Sequence, residues 1–213
     1  MATADPEENT LFRWAEDLPL ALWDDLRGRD PLAAAAACGA RWDGACFVLP
    51  LLGRDYCVEP AAMKLTSVEA PERRVGYQVA LILVKTLAFS TGASPSGQMV
   101  TPRELVGGEL FFNGPHAVNT PALEQRFGAD GQGLIARALA MGGQSIDGAD
   151  VAVRLPGLPM LPLWVLLWLA DDEFPARAVV GVDSRTAQHL PLDGVWALTN
   201  LLIHRLTTGG GNG

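Results

Sequence analysis

The chain is poor in the residues that build metal centres. Among its 213 residues are three cysteines and three histidines. No HExxH, HxH or Cys-x-x-Cys spacing occurs, so a zinc site has no support. Cys38, Cys46 and Cys57 match no iron–sulfur spacing either. Three thiols fit a reducing compartment better than a disulfide scaffold, and they read as small apolar residues. G-x-S-x-G, Walker and G-x-G-x-x-G loops are absent, which removes the common nucleophile-elbow and nucleotide signatures. No apolar run approaches the roughly 18 residues of a membrane span. The acidic start, MATADPEENT, does not read as a secretory leader. The expectation is a soluble cytoplasmic protein with no membrane partner.

Charge is also sparse. Charged residues make up 19%, and the net charge is -8. That argues against a nucleic-acid partner, which would require clustered Lys and Arg. Arg73-Arg74 is a lone basic pair and reads as a solvated face. Nothing in the pattern fixes an oligomeric state.

What is present is a core. Hydrophobic residues make up 49%, and a chain of this length buries roughly 70% of its extended surface. Leu11, Trp14, Ala15, Leu18, Leu22 and Leu26 give one helical face over 11–27, kinked or split at Pro19. A short helix spans Pro31 to Cys38 and stops at Gly39. Residues 45–59 read as a hairpin turning at Leu52-Gly53-Arg54-Asp55, with a third strand over 63–68. Residues 75–90 are apolar nearly all round, the mark of a buried central helix. Residues 98–119 read as irregular. One or two helices follow over 120–141, capped by Thr120. Strands are expected near 144–146, 150–155, 161–169 and 177–183, then a last helix opening at Asp193. Segregated strands and helices give an α+β class: a mixed, mainly antiparallel sheet packed on a central helix and a C-terminal helix. Residues 8–208 are expected to form one domain, and 209–213 a disordered tail.

The segment 161–191 carries the most chemistry. Ten nearly uncharged residues run into Asp171-Asp172-Glu173, then Phe174-Pro175 close a turn. Carboxylates beside a buried strand are costly to desolvate. Two readings stand: a hard-cation site using Asp172, Glu173 and Asp183, or a solvated turn in which Glu173 or Asp172 hydrogen-bonds backbone N–H groups. Phe174 is expected to cover the core edge. His189 follows Asp183, and the two could meet Asp172 or Glu173 in space, with His189 as a general base or a polar histidine before the last helix. His116 lies on a loop, and His204 on the flank of the last helix. Trp164 and Trp168 share one strand face; they stack on a flat ligand or pack in the core.

Several of these residues resemble one family. They are Leu158-Pro159, Pro162, Trp168, Asp171-Asp172-Glu173-Phe174-Pro175, Val182-Asp183 and His189-Leu190-Pro191. Upstream, Leu49-Pro50-Leu51-Leu52-Gly53-Arg54-Asp55-Tyr56, Gly97, Arg103-Glu104-Leu105, Gly107-Gly108, Arg126-Phe127-Gly128 and Asp150 fit the same pattern. Together they resemble the domain-of-unknown-function family 3786 over most of residues 35–206. The resemblance implies a setting in strict anaerobes, sometimes behind a four-cysteine iron–sulfur domain like that of corrinoid iron–sulfur proteins. It implies no activity, and this chain has no such cysteine cluster.

Two functional expectations follow. One is a non-catalytic cofactor- or partner-binding accessory protein of anaerobic metabolism, with a corrinoid or other tetrapyrrole between Tyr77, Phe112 and Trp168 and polar clamps at His116 and His189. The other is a metal-dependent enzyme using the acidic turn with His189. A purely structural role for the turn is the third possibility.

Overall fold

Residues 13–208 are described by a computed structural model of the chain. The helical face expected over 11–27 divides at Pro19: a 3-10 turn covers Ala15–Asp17, and α1 runs Leu20–Arg27. Proline has no N–H to continue a ladder but tolerates a helix start. Helix α2 is Pro31–Cys38, with the Asp30 carboxylate accepting the Ala33 N–H at 2.8 Å and Gly39 ending it at φ 74°. Gly39 ends the helix where the sequence reading placed its stop, and the Asp30 cap is added by the structure.

A four-stranded sheet follows: β1 Arg41–Trp42, β2 Phe47–Leu51, β3 Arg54–Glu59 and β4 Lys64–Ser67, in that order. The β2–β3 turn is tighter than the sequence reading, because Arg54 and Asp55 already pair with Leu51 and Pro50. Only Leu52 and Gly53 remain, at φ 50° and 79°. Two-residue hairpins favour positive φ at both positions because that twist suits the strands. Gly53 takes it freely; a leucine there is uncommon and needs support from its surroundings.

Helix α3 is Tyr77–Phe89, and its Ala80, Ile82, Leu83, Val84 and Leu87 have no exposed surface. Truncating one such leucine to alanine costs roughly 2–5 kcal/mol. It packs against α1, α2 and the C-terminal helix, as a helix apolar on nearly every side must. The stretch 98–119 is more ordered than expected, holding β5 Met99–Val100 and α4 Gly108–Phe111. Helices α5 Thr120–Phe127 and α6 Gly131–Ala140 come next. Thr120 is the first helical residue rather than the cap.

The second sheet adds β6 Gln144–Ile146, β7 Val151–Leu158, β8 Leu161–Trp168 and β9 Arg177–Asp183, in the order β5-β9-β8-β7-β6. Helix α7, Leu192–Thr208, closes the fold on α3. Asp193 is not its cap: it sits in the first turn, and its carboxylate pairs with Lys85 of α3. The fold is α+β with a buried central helix and a C-terminal helix. Its strands divide into two sheets, and each pairing within them is antiparallel. The tail 209–213 lies outside the described residues.

Two further points concern the early expectations. Cys46 and Cys57 are joined in a disulfide across the first hairpin, and Cys38 is buried and free; strand pairing brings together two thiols that the sequence spacing did not associate. Among the described residues, no helix is long and apolar enough to cross a membrane.

Candidate functional site

The acidic turn is organised by its first member alone. Asp171 Oδ1 accepts the N–H groups of Glu173 at 2.8 Å and Phe174 at 2.7 Å, while its own N–H donates to the Phe174 carbonyl at 3.0 Å. The Phe174 amide, then that of Glu173, holds this carboxyl below its ordinary pKa. This is an Asx turn, in which the carboxylate satisfies the backbone it bends. Asp172 and Glu173 point into solvent. Phe174, expected to cover the core edge, is 66% exposed.

Asp183 lies at the far end of β9 from this turn, about 20 Å along a strand of this length. The proposed ligand set of Asp172, Glu173 and Asp183 is therefore split by the strand that connects it. Among the described residues, no three His, Cys, Asp or Glu side chains are grouped to hold a metal. His189 likewise stays with Asp183 and does not meet Asp172 or Glu173.

Asp183 and His189 build a buried corner. Asp183 is 1% exposed and accepts the N–H of Ser96 at 3.0 Å, Gly97 at 2.8 Å and Arg185 at 2.9 Å, plus the Ser96 hydroxyl at 2.9 Å. Burial pushes its carboxyl up, but these donors outweigh burial and hold it below the ordinary value. His189, also 1% exposed, has Nδ1 at 2.7 Å from Ser90 Oγ, whose hydroxyl donates to the Ala37 carbonyl at 2.7 Å. With that proton committed, Nδ1 carries the hydrogen and Nε2 is a buried, unpartnered acceptor. Burial lowers the imidazole pKa against weaker opposing pulls from the Ala93 backbone and the Asp183 charge. The corner pins the loop after α3 to the end of β9, and it offers no exposed base.

Phe111 brings Phe112, at 5.1 Å between rings, together with His116, but Tyr77 and Trp168 stand apart from them. Register places Trp164 and Trp168 on one face of β8, opposite the fully buried Leu163, Val165 and Leu167. Arg154 lies 5.5 Å from the Trp164 ring and Arg177 5.5 Å from that of Trp168. Guanidinium groups, rather than core side chains, cover this face. Phe112 belongs to the hydrophobic core with Ala178 and Val180, on the other side of the sheet. The sheet thus stands between Phe112 and Trp168. Tyr77 opens α3 elsewhere, its amide donating to the Arg13 carbonyl at 3.1 Å. His116 is exposed, stacks on Phe111 at 4.7 Å and meets the Trp196 ring edge at 5.5 Å.

Charged groups converge instead at the first sheet. A cavity of about 450 Å³ beside the β2–β3 turn is lined by Arg54, Tyr56, Glu69, Glu72, Arg73 and Arg74, among others. Pairing of β3 with β4 brings Tyr56 opposite Ser67. Glu69 Oε1 accepts the Asp55 N–H at 3.1 Å, and Oε2 accepts the Ser67 hydroxyl at 3.2 Å. The Asp55 amide foremost, with a smaller share from the Arg54 charge, holds this carboxyl below its ordinary pKa. Arg74 lies 4.4 Å from the Trp14 ring and 3.2 Å from Glu16, which fixes it at the rim. Arg73 pairs with Glu72 at 4.0 Å, with both side chains mostly exposed. Planar guanidinium forks at the edge of such a cleft match carboxylate and phosphate groups.

Beneath the turn, Arg205 of α7 is 6% exposed. Its Nη1 donates to the carbonyls of Leu51 at 2.9 Å and Leu52 at 3.2 Å, and its Nη2 to the Tyr56 hydroxyl at 2.7 Å. It supports the left-handed Leu52 from inside. Sequence reasoning missed Arg205, although a signal existed: it falls three residues after Leu202 and seven after Leu198, on the apolar stripe.

A family model described as a domain of unknown function (DUF3786) matches residues 30–205. No curated protein and no solved structure matches the chain.

Proposed function

Because the chain belongs to the DUF3786 family, whose membership carries no assigned chemistry, we propose its function from the cleft: it is a non-catalytic module that binds a small anionic molecule. The carrying observation is the convergence of Arg54, Arg73 and Arg74 on one 450 Å³ cavity in a chain of net charge -8. That volume falls within the range of small-molecule sites. The charged lining favours a polar ligand bearing carboxylate or phosphate groups. Three guanidinium groups against the carboxylates of Glu69 and Glu72 leave the lining net positive, which favours an anion at its mouth despite the overall negative charge.

The cofactor- or partner-binding expectation enters this proposal only as the binding of a small anion. A corrinoid or other tetrapyrrole draws no support from Tyr77, Phe112 and Trp168, which share no wall. The metal-dependent reading draws none from acids separated along β9.

Thermal-shift measurements against di- and tricarboxylates, nucleotides and sugar phosphates test the proposal. One or more of these anions is expected to raise the melting temperature of the native chain and to lose that effect in Arg73→Ala. A panel without any shift, or a shift that survives both Arg73→Ala and Arg54→Ala, would overturn it.

A further inference from the structure

On the other flank of the Leu52-Gly53 turn lies a second, smaller cavity of about 150 Å³. It is lined by Arg54, Arg137 and Arg205 together with Leu52, Gly53 and Met141. The three cations come from distant parts of the chain: the start of β3, the last turns of α6 and the last turns of α7. The turn backbone brings them together, because Gly53 packs against the Met141 carbonyl so tightly that a Cβ there would sit 3.1 Å from it.

Arg205 makes this more than a cationic patch. Its three hydrogen bonds go to two carbonyls and the Tyr56 hydroxyl, and its buried Nε has no partner. Among the described residues no carboxylate forms an ion pair with Arg205. Glu69 feels the Arg54 charge but is engaged with Asp55 and Ser67 in the larger cleft. Burial disfavours the charged guanidinium, Tyr56 opposes this, and Arg54 beside it adds a smaller repulsion. At the end of α6 the Ala138 carbonyl accepts from Met141 and Gly143, and that of Leu139 from Gly142, while Ala140 and Met141 line the cavity. An oxyanion in the cavity would offset the charge of the cluster. A single phosphate or carboxylate group fits this space, whereas a whole nucleotide belongs to the larger cleft.

We propose that Arg54, Arg137 and Arg205 form a phosphate-binding site. The bound group is either the free ion or the phosphoryl end of a larger molecule. The inference stands on the small cavity and the unpaired Arg205, and does not require a ligand in the larger cleft.

Calorimetric titration of the full chain with inorganic phosphate, and separately with glycerol phosphate, tests it. Saturable binding is expected, weakened at least about tenfold in Arg137→Gln, the loss of one charge-assisted contact. Arg137 makes none of the hydrogen bonds that hold the turn, so the unliganded Arg137→Gln variant is expected to melt like the native chain. Arg205→Gln should abolish binding, but it also loosens the turn, so Arg137→Gln is the deciding variant. Tighter binding of the ester would identify a phosphoryl-bearing ligand, and equal binding the free ion; both support the site. Absence of phosphate binding, or binding unchanged in Arg137→Gln and Arg54→Gln, would overturn it.

Discussion

Arg205 and Leu51 lie 154 residues apart, yet Nη1 of the first donates to the carbonyl of the second at 2.9 Å. That contact ties the last helix to the first hairpin and sets the wall between two cavities. Replacing Arg205 with methionine keeps the bulk of the stem but leaves two carbonyls and the Tyr56 hydroxyl without their donor. A loss of about 1–3 kcal/mol is expected from urea unfolding, the scale of unsatisfied buried polar groups. Unchanged or increased stability would mean that the uncompensated charge costs more than its bonds return.

The buried corner gives a pH dependence. The folded His189 imidazole resists protonation below its ordinary pKa of 6.5, whereas the unfolded one does not. Between the two values the unfolded state binds more protons, so stability rises with pH there. The contribution is fully present above about 6.5 and declines as pH falls towards the folded value. Urea midpoints measured from neutral to mildly acidic pH should show this decline, and His189→Gln should flatten it. Asp183 acts in a separate, more acidic window: its depressed pKa stabilises the fold above the ordinary 3.8 and is lost as pH falls through the folded value. A His189→Gln profile parallel to that of the native chain would contradict the assignment.

At the acidic turn the three carboxylates are expected to behave differently. Asp171→Ala removes the acceptor for two backbone amides and should lower the melting temperature. Asp172→Ala and Glu173→Ala should leave it nearly unchanged. Calorimetry with Mg²⁺ and Ca²⁺ should give the same trace for the native chain and the three variants. A divalent-ion signal lost in Asp172→Ala would restore the metal reading.

The hairpin disulfide is open to a direct count. Thiol titration of the denatured, unreduced chain should find one group, Cys38, rather than three. Reduction should cost about 3 kcal/mol by the loop-entropy relation for so short a loop. Three titratable thiols would show that strand pairing alone holds Cys46 and Cys57 together.

Much of the fold was legible because local signals agreed with one another. Pro31 and Gly39 punctuate α2, and the unbroken apolar character of 75–90 announces a central helix. The strands β7 to β9 appear as apolar runs with turns at their ends. The site was less legible, because its parts are local only in space. Arg73-Arg74 reads as a solvated pair until β3 and β4 fold Arg54 and Tyr56 towards it. Arg205 is one charge in an apolar helix until the hairpin supplies its acceptors. The Asp171-Asp172-Glu173 run drew attention by its composition, whereas its geometry is that of one residue closing a turn. β5 went unseen since two residues carry no periodicity, and Asp193 looked like a cap because its partner, Lys85, lies on another helix.

The most direct test of the anion-binding reading is side-chain nitrogen NMR of the arginine guanidinium groups during a citrate titration. Saturable shifts confined to Arg54, Arg73 and Arg74 are expected, with the Trp168 indole signal unmoved. Guanidinium signals that stay fixed, or a Trp168 signal that moves in their place, would contradict it.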